Sequence, residues 1–297
     1  MRKKLIVKSL IVSTLLLSTA HAKDINFIEI GGGFNKTTDS FVASDDMTSA
    51  ENSSTQAIPN IKFAYNVELS QSYMVYIKSQ YGKFDLGSSY KINNSKIAFG
   101  FIMDMVDKQE WQNPFNRASN NDKTDVSEKG MYLSYSMPIN ENLYSTIKYQ
   151  HTNKEYDNDQ VIDTLKREGT KDLLSLKNTY KEYIANLNYE IYNANGEASS
   201  YKAYEVQIGK RFNLSNKLAV VALSNIGKLQ YNEINPELNT KIDAITYGLN
   251  MQFKYQEPFN FKNSYVSFNT GIDKEDASHD FYDKENIYGM LSIGYKF

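Results

Sequence analysis

In the segment that ends the chain, Ile287, Gly289, Leu291, Ile293, Tyr295 and Phe297 alternate with Tyr288, Met290, Ser292, Gly294 and Lys296. A period of two throws successive side chains to opposite faces, which a helix of 3.6 residues per turn cannot do, so this is a strand with one apolar face. The pattern recurs in Ile245, Tyr247, Leu249, Met251, Phe253 and Tyr255, separated by Thr246, Gly248, Asn250, Gln252 and Lys254. One face suits hydrocarbon and the other water.

The same template predicts strands over 25–34, 58–69, 72–81, 84–92, 95–104, 130–138, 143–152, 182–192, 201–212, 217–226, 243–255, 264–273 and 286–297. Most have the length of about ten residues that crosses a bilayer when tilted. An odd count conflicts with a closed single-chain barrel, which has an even number of strands. The alternation of short and long connections fails between 153 and 182, where Leu174, Leu176 and Tyr180 alternate with Leu173, Ser175, Lys177 and Thr179. Parity makes 171–180 a strand. The competing reading is a loop helix continuing the helix-tolerant 163–168, with a twelve-stranded barrel as the alternative count. With fourteen strands, the long polar segments 35–57, 105–129, 153–170, 227–242 and 274–285 share one end and the tight turns the other, as outer-membrane barrels require.

The chain opens with Arg2, Lys3, Lys4 and Lys8, an apolar stretch through Leu17, and Ala20-His21-Ala22. This order reads as a secretory signal peptide over 1–22, leaving a barrel domain over 23–297. Removing four basic residues leaves 29 against 35 acidic ones, a net of about −6, which disfavours nucleic acid as a partner. Cysteine is absent, excluding disulfides and a thiolate nucleophile. After the signal, no apolar run reaches the roughly 18 residues of a membrane helix. The 23 Tyr and 15 Phe recur towards strand ends, where amphipathic rings meet the lipid–water boundary. Lipid also demands closure, since an open sheet edge would leave backbone groups unpaired where no water reaches them. The expected fold is therefore all-β, a closed antiparallel transmembrane β-barrel exported to the cell outer membrane, with membrane lipid and lipopolysaccharide around it.

Tyr295 and Phe297 resemble the C-terminal signature of outer-membrane proteins, which implies recognition by the barrel-assembly machinery. Trp111-Gln112-Asn113-Pro114-Phe115 with Arg117, Lys123-Thr124-Asp125, Asp157 to Asp159, and Leu165-Lys166-Arg167-Glu168-Gly169 follow in order. Together they resemble a family of uncharacterised, porin-like Gram-negative outer-membrane barrels of about this length, a domain of unknown function. The resemblance spans the mature chain and implies no known activity. Chemically, these motifs read as polar loops, with Trp111 anchoring a loop over the pore or sitting among headgroups.

Little chemistry beyond transport is legible. Two histidines remain after the signal, His151 and His279, both read as solvated; Ser278-His279-Asp280 is a run in a loop and not a triad, whose geometry is three-dimensional. Asp45-Asp46, Asp157 with Asp159, and Asp273 with Glu275 and Asp276 lack fixed ligand spacing and read as solvated carboxylates. Gly31-Gly32-Gly33 suits curvature or close packing in the first strand. No catalytic residue, metal site or cofactor is expected. If Phe297 faces lipid, the inward set includes Lys62, Lys78, Asp85, Lys91, Lys148, Lys177, Glu190, Glu205, Arg211, Lys254 and Lys296. Fourteen-strand size with a polar interior predicts a passive channel for small hydrophilic solutes, and the basic excess a weak anion preference. The alternatives are a non-conducting structural, adhesive or surface-recognition barrel and, as minor cases, a transporter of apolar compounds or a lipid-active hydrolase.

Overall fold

The computed structural model describes residues 26–41, 53–80, 82–116 and 122–297. The signal peptide, the start at Lys23, Asp45-Asp46, Tyr81 and Arg117 lie outside them. The strands are β1 (Phe27–Asp39), β2 (Ser53–Glu68), β3 (Tyr73–Gln80), β4 (Lys83–Ile92), β5 (Ser95–Asp104), β6 (Lys108–Trp111), β7 (Lys123–Pro138), β8 (Leu143–Tyr156), β9 (Gly169–Tyr180), β10 (Tyr183–Ala194), β11 (Tyr201–Asn213), β12 (Leu218–Asn235), β13 (Thr240–Gln256), β14 (Ser264–Ala277) and β15 (Lys284–Lys296). The short β6 carries β5 onward: β5 pairs with the 129–136 stretch of β7 and β6 with its 123–126 stretch. The wall is thus a closed antiparallel barrel of fourteen strands. Its seam is β1 against β15, from Phe27 opposite Lys296 to Asp39 opposite Lys284, which leaves no sheet edge in lipid.

Parity was the right guide at β9. It pairs along its whole length with β8 on one side and β10 on the other, and the helix-tolerant stretch before it yields only a 3-10 turn over Asp163–Leu165. Leu174 points outward and is exposed, as a lipid-facing residue must be.

The strands run further than the apolar alternation indicates, so the long connections are shorter than expected. β12 and β13 have 18 and 17 residues and continue to Asn235 and from Thr240, inside the segment read as the 227–242 loop. Lysines face outward where the overhang begins, Lys36, Lys129, Lys202, Lys228 and Lys274 standing one step above Phe34, Met131, Tyr204, Ile226 and Ile272, although Ile234 and Ile245 are exposed there too. A template searching for greasy outer faces sees only the part of each strand that touches hydrocarbon; beyond it the β12–β13 ladder continues with Leu229, Tyr231, Ile242 and Ala244 packed on its inner face.

Below that ring the outer face is an apolar belt that includes Ile30, Phe101, Leu133, Leu174, Ile208, Leu249 and Leu291, all exposed in the isolated chain. The inner face carries apolar side chains such as Met74, Val221 and Met290, but one register row across it is polar throughout. Passing from β5 through β7 to β15 and on to β2, the facing residues are Lys96, Ser136, Thr146, Lys177, Asn186, Gln207, Asn225, Gly248, Asp273, Asn286, Thr37 and Ser54. No apolar side chain interrupts it. The glycines of β1 serve the seam: a Cβ on Gly31 would lie 2.0 Å from the Leu291 carbonyl oxygen, and one on Gly33 1.9 Å from that of Gly289.

Candidate functional site: a polar lumen under an aromatic roof

At the end where the chain turns tightly and the start of β1 meets the end of β15, Glu29 and Lys62 form a buried ion pair of 3.2 Å. Glu29 also accepts from Ser267 at 2.9 Å and Asn60 at 3.3 Å, and Asn60 reaches Ser292, so four strands are tied by one carboxylate. Lys62, counted in sequence as part of a basic lining, is therefore neutralised by its neighbour. Lys254 lies 3.7 Å from the ring centre of Tyr265, Lys296 donates to Gln256 at 2.8 Å, and Arg211 donates to Asn213 at 3.0 Å near the turns. Lys91 is exposed in the same region.

At mid-height, Lys78 sits 4.0 Å over the Tyr76 ring and Lys148 4.5 Å over that of Tyr132. The two tyrosine hydroxyls bond to one another, and Tyr132 donates to Asp85 at 2.8 Å. Tyr76, Tyr132 and Met74 are buried together, an inward cluster that spacing alone did not reveal. On the β10–β14 side, Glu205 accepts from Asn188 at 2.8 Å, Gln207 at 2.9 Å and Asn225 at 3.3 Å, while Asp273 accepts from Asn250 at 3.2 Å. Asn186 Oδ1, Asn225 Oδ1, Asn269 Nδ2 and Asp273 Oδ2 are buried without a hydrogen-bond partner among the described residues. Such groups in a barrel wall are stabilised only by water or a polar solute in the lumen.

Higher up, charges pair densely. Glu128 receives Lys83 at 2.9 Å and Lys171 at 3.0 Å, and Lys284 meets Glu275 at 3.4 Å. Glu190 accepts from Tyr201 at 2.7 Å. Here Arg167 gathers the loops. Its Nε and Nη2 donate to Asp159 Oδ1 at 3.0 and 2.6 Å, and its own backbone N–H donates to Asp159 Oδ2 at 2.7 Å. Nη2 also donates to the carbonyls of Trp111 and Gln112, each at 2.9 Å, and Nη1 reaches Glu110 at 3.4 Å. The guanidinium lies 4.5 Å from the centre of the Tyr156 ring, and Tyr192 donates to the Arg167 carbonyl. Burial alone would disfavour its charge; the acids and Tyr156 around it outweigh that and push its pKa above the ordinary arginine value.

Arg167 thereby fixes the Trp111–Phe115 segment. Trp111 is 5% exposed and donates its backbone N–H to the Phe41 carbonyl at 3.1 Å, and Phe115 stacks on Phe281 at 4.8 Å. Phe41 meets Phe281 at 5.4 Å and Tyr282 at 5.1 Å, and Tyr282 meets Tyr231 of the inner wall at 5.1 Å. Phe115 also packs on Val161, Leu165 and Ala198. Rings from three separate connections thus converge into a roof on the loop side of the lumen. Sequence reading missed it, although a signal existed: Phe41, Phe115 and Phe281 each stand in a polar stretch, where an aromatic ring needs a partner to leave water.

The remaining candidates have structural partners. Asp159 is no solvated carboxylate but the counter-ion of Arg167, with a side chain only 4% exposed. His279 accepts from the Phe281 backbone N–H at 3.1 Å and so caps the 3-10 turn over Asp280–Tyr282. His151 lies within β8, inside the strand predicted over 143–152, beside outward-facing Tyr149, and its Nδ1 is 2.8 Å from Asp172, which also accepts from Tyr149 at 2.5 Å. Among the described residues no group of three or more His, Cys, Asp or Glu could hold a metal ion. No described helix is long and apolar enough to cross a membrane, which says nothing against a barrel. Tyr295 and Phe297 are exposed on the outer face of the closing strand, with Phe297 stacked on Tyr65 at 6.5 Å.

No curated protein matches this sequence. Among solved structures, the CymD monoaromatic hydrocarbon channel is similar with a TM-score of 0.51 at 8% identity, over 94% of this chain and 90% of that one. The Pseudomonas putida toluene transporter TodX gives 0.49 at 9% identity over 93% and 90%, and Acinetobacter baumannii OccAB4 gives 0.46 at 10% over 94% and 100%. At such identities the CymD likeness speaks for the fold, an outer-membrane-type barrel. The family model described as "Protein of unknown function (DUF2860)" matches residues 25–296, and the chain belongs to that family.

Proposed function

We propose that this protein is an outer-membrane channel for small hydrophilic solutes and not an enzyme. The observation that carries the reading is the unbroken polar row crossing twelve wall strands, with buried polar atoms that no described residue satisfies. An inner wall of this kind in a lipid-embedded barrel favours a hydrated interior. The same row favours a polar solute over an apolar one. In biogenesis, Tyr295 and Phe297 serve as the terminal signal for barrel assembly.

The aromatic roof favours a second reading, a barrel shut at its loop end that acts through its surface. One experiment separates the two. Purified, folded protein reconstituted in a planar bilayer gives discrete current steps if the lumen conducts. Absence of steps from protein that still shows the heat-modifiable gel mobility of a folded barrel would refute the channel and leave the surface role.

A further inference from the structure

We propose that the lumen selects small zwitterions, solutes bearing both an ammonium and an acidic group, over ions of one sign. The inference rests on the channel reading and adds the solute class. Its basis is the placement of mid-height charges. Lys78 stands on β3 and Glu205 on β11, seven wall strands away in either direction. Lys148 stands on β8, and Asp273 on β14, which lies seven wall strands from β7, the neighbour of β8. Counted from the turn end, Lys78 and Lys148 are the sixth residues of their strands, Glu205 the ninth and Asp273 the tenth. Basic and acidic groups therefore stand on opposite sides of the lumen, with the acids three to four residues further from the turn end.

These two acids differ from the others that line the wall in being held by neutral amides; Asp85 and Glu190 are held by the hydroxyls of Tyr132 and Tyr201. Glu29, Glu110, Glu128 and Glu275 each have a basic side chain within 4 Å. Among the described residues, Glu205 and Asp273 have none, and their partners are neutral amides that fix the carboxylates without cancelling their charge. Between them Asn225, Gly248 and Asp273 face one another in a single row. A Cβ on Gly248 would lie 2.1 Å from Asp273 Oδ1 and 2.6 Å from Asn225 Oδ1, so the missing side chain lets both groups lie along the wall. Asp273 Oδ2 and Asn225 Oδ1 are acceptors without a donor among the described residues. An ammonium group supplies donors there. A solute acid group at the other end is met by Lys148, held at 3.0 Å from Gln150 Oε1, and by Lys78, two lysines against the single carboxylate of Asp85, which stands opposite Lys78 in the β3–β4 register. A cation or an anion gains at one wall and is opposed at the other; a zwitterion aligned across the lumen gains at both.

The test is influx into proteoliposomes at neutral pH of four solutes: taurine (zwitterion), isethionate (anion), choline (cation) and erythritol (neutral). The wild type should take up taurine several-fold faster relative to erythritol than it takes up isethionate or choline. The double variant Glu205→Gln/Asp273→Asn, and separately Lys148→Gln, should bring the taurine-to-erythritol ratio towards one. Lys228→Gln, on the outer face, should leave that ratio as in the wild type. Folding of each variant is checked by heat-modifiable gel mobility. Erythritol influx without a taurine preference, or a preference that survives both inner-wall variants, overturns the inference while keeping the channel. No influx of any solute and no current from folded protein overturns both.

Discussion

Replacing Arg167 by alanine removes the one side chain that joins Asp159, Glu110 and the carbonyls of Trp111 and Gln112. The side chains of Arg167 and Asp159 are 7% and 4% exposed, so Asp159 would be left as an unpaired charge away from water. Breaking a buried pair in this way costs about 3–5 kcal/mol. Two features place the effect near the lower figure. Glu110 keeps the Tyr156 hydroxyl at 2.8 Å and Lys154 at 3.6 Å, and Asp159 keeps the Arg167 backbone N–H at 2.7 Å. The cost falls on the loops and not on the wall, whose ladders do not pass through Arg167. About 3 kcal/mol raises the population of an opened roof roughly 100-fold or more, at about 1.4 kcal/mol per factor of ten. Hydrogen exchange reads this directly. The amide of Gln160, bonded to the Gln112 carbonyl at 2.9 Å, and that of Trp111, bonded to Phe41, should exchange on the order of 100-fold faster, whereas amides of the β11–β12 ladder stay protected. Arg167→Lys keeps a charge without the planar fork and should fall between. Gln160 and Trp111 amides that exchange as in the wild type, within a few-fold, would show that the roof does not depend on this residue.

Three further outcomes follow from the same geometry. Leu249→Arg puts a charge on the lipid face of β13 and should destabilise the barrel by ~2–4 kcal/mol in vesicle refolding, while Asn250→Arg, inward and beside Asp273, should be much milder; the reverse order would invert the facing of that strand. Lys148→Glu with Lys177→Glu should move the reversal potential of a salt-gradient bilayer towards cations, and current with unchanged selectivity would remove both residues from the conducting path. Gly33→Val should weaken the β1–β15 seam, because a Cβ at that position meets the Gly289 carbonyl at 1.9 Å; melting of the barrel at the wild-type temperature would show that the seam absorbs the side chain.

What the sequence made legible is the part of the molecule that lipid disciplines. A period of two survives wherever one face must be greasy, and closure in hydrocarbon forces an even strand count, so β9 could be placed on parity although Asp163 to Glu168 looked helical. Where lipid ends, that discipline ends. The overhang of β12 carries Lys228 outward, and nothing in its local pattern separates it from a loop. The lumen was legible in part for the same reason: alternation tells which residues turn inward but not which of them meet across strands distant in sequence. Lys62 and Lys148 look alike in the chain, yet one is paired with Glu29 and the other lies over Tyr132 beside a neutral amide.

The roof was the least legible element because its logic is long-range. Phe41 and Phe281 are separated by most of the chain and meet only because β1 and β15 close the barrel, and Arg167 sits in a stretch whose composition reads as a polar loop. A lone aromatic in a polar segment is ambiguous by itself. Three of them, each at the same end of an even-stranded barrel, are not, since closure brings those segments over one opening. The roof is thus a consequence of the same topology that makes the lumen. Water, solute and loop rings compete for the space above the inner wall, and the Arg167 pairing with Asp159 decides how much of it the rings hold.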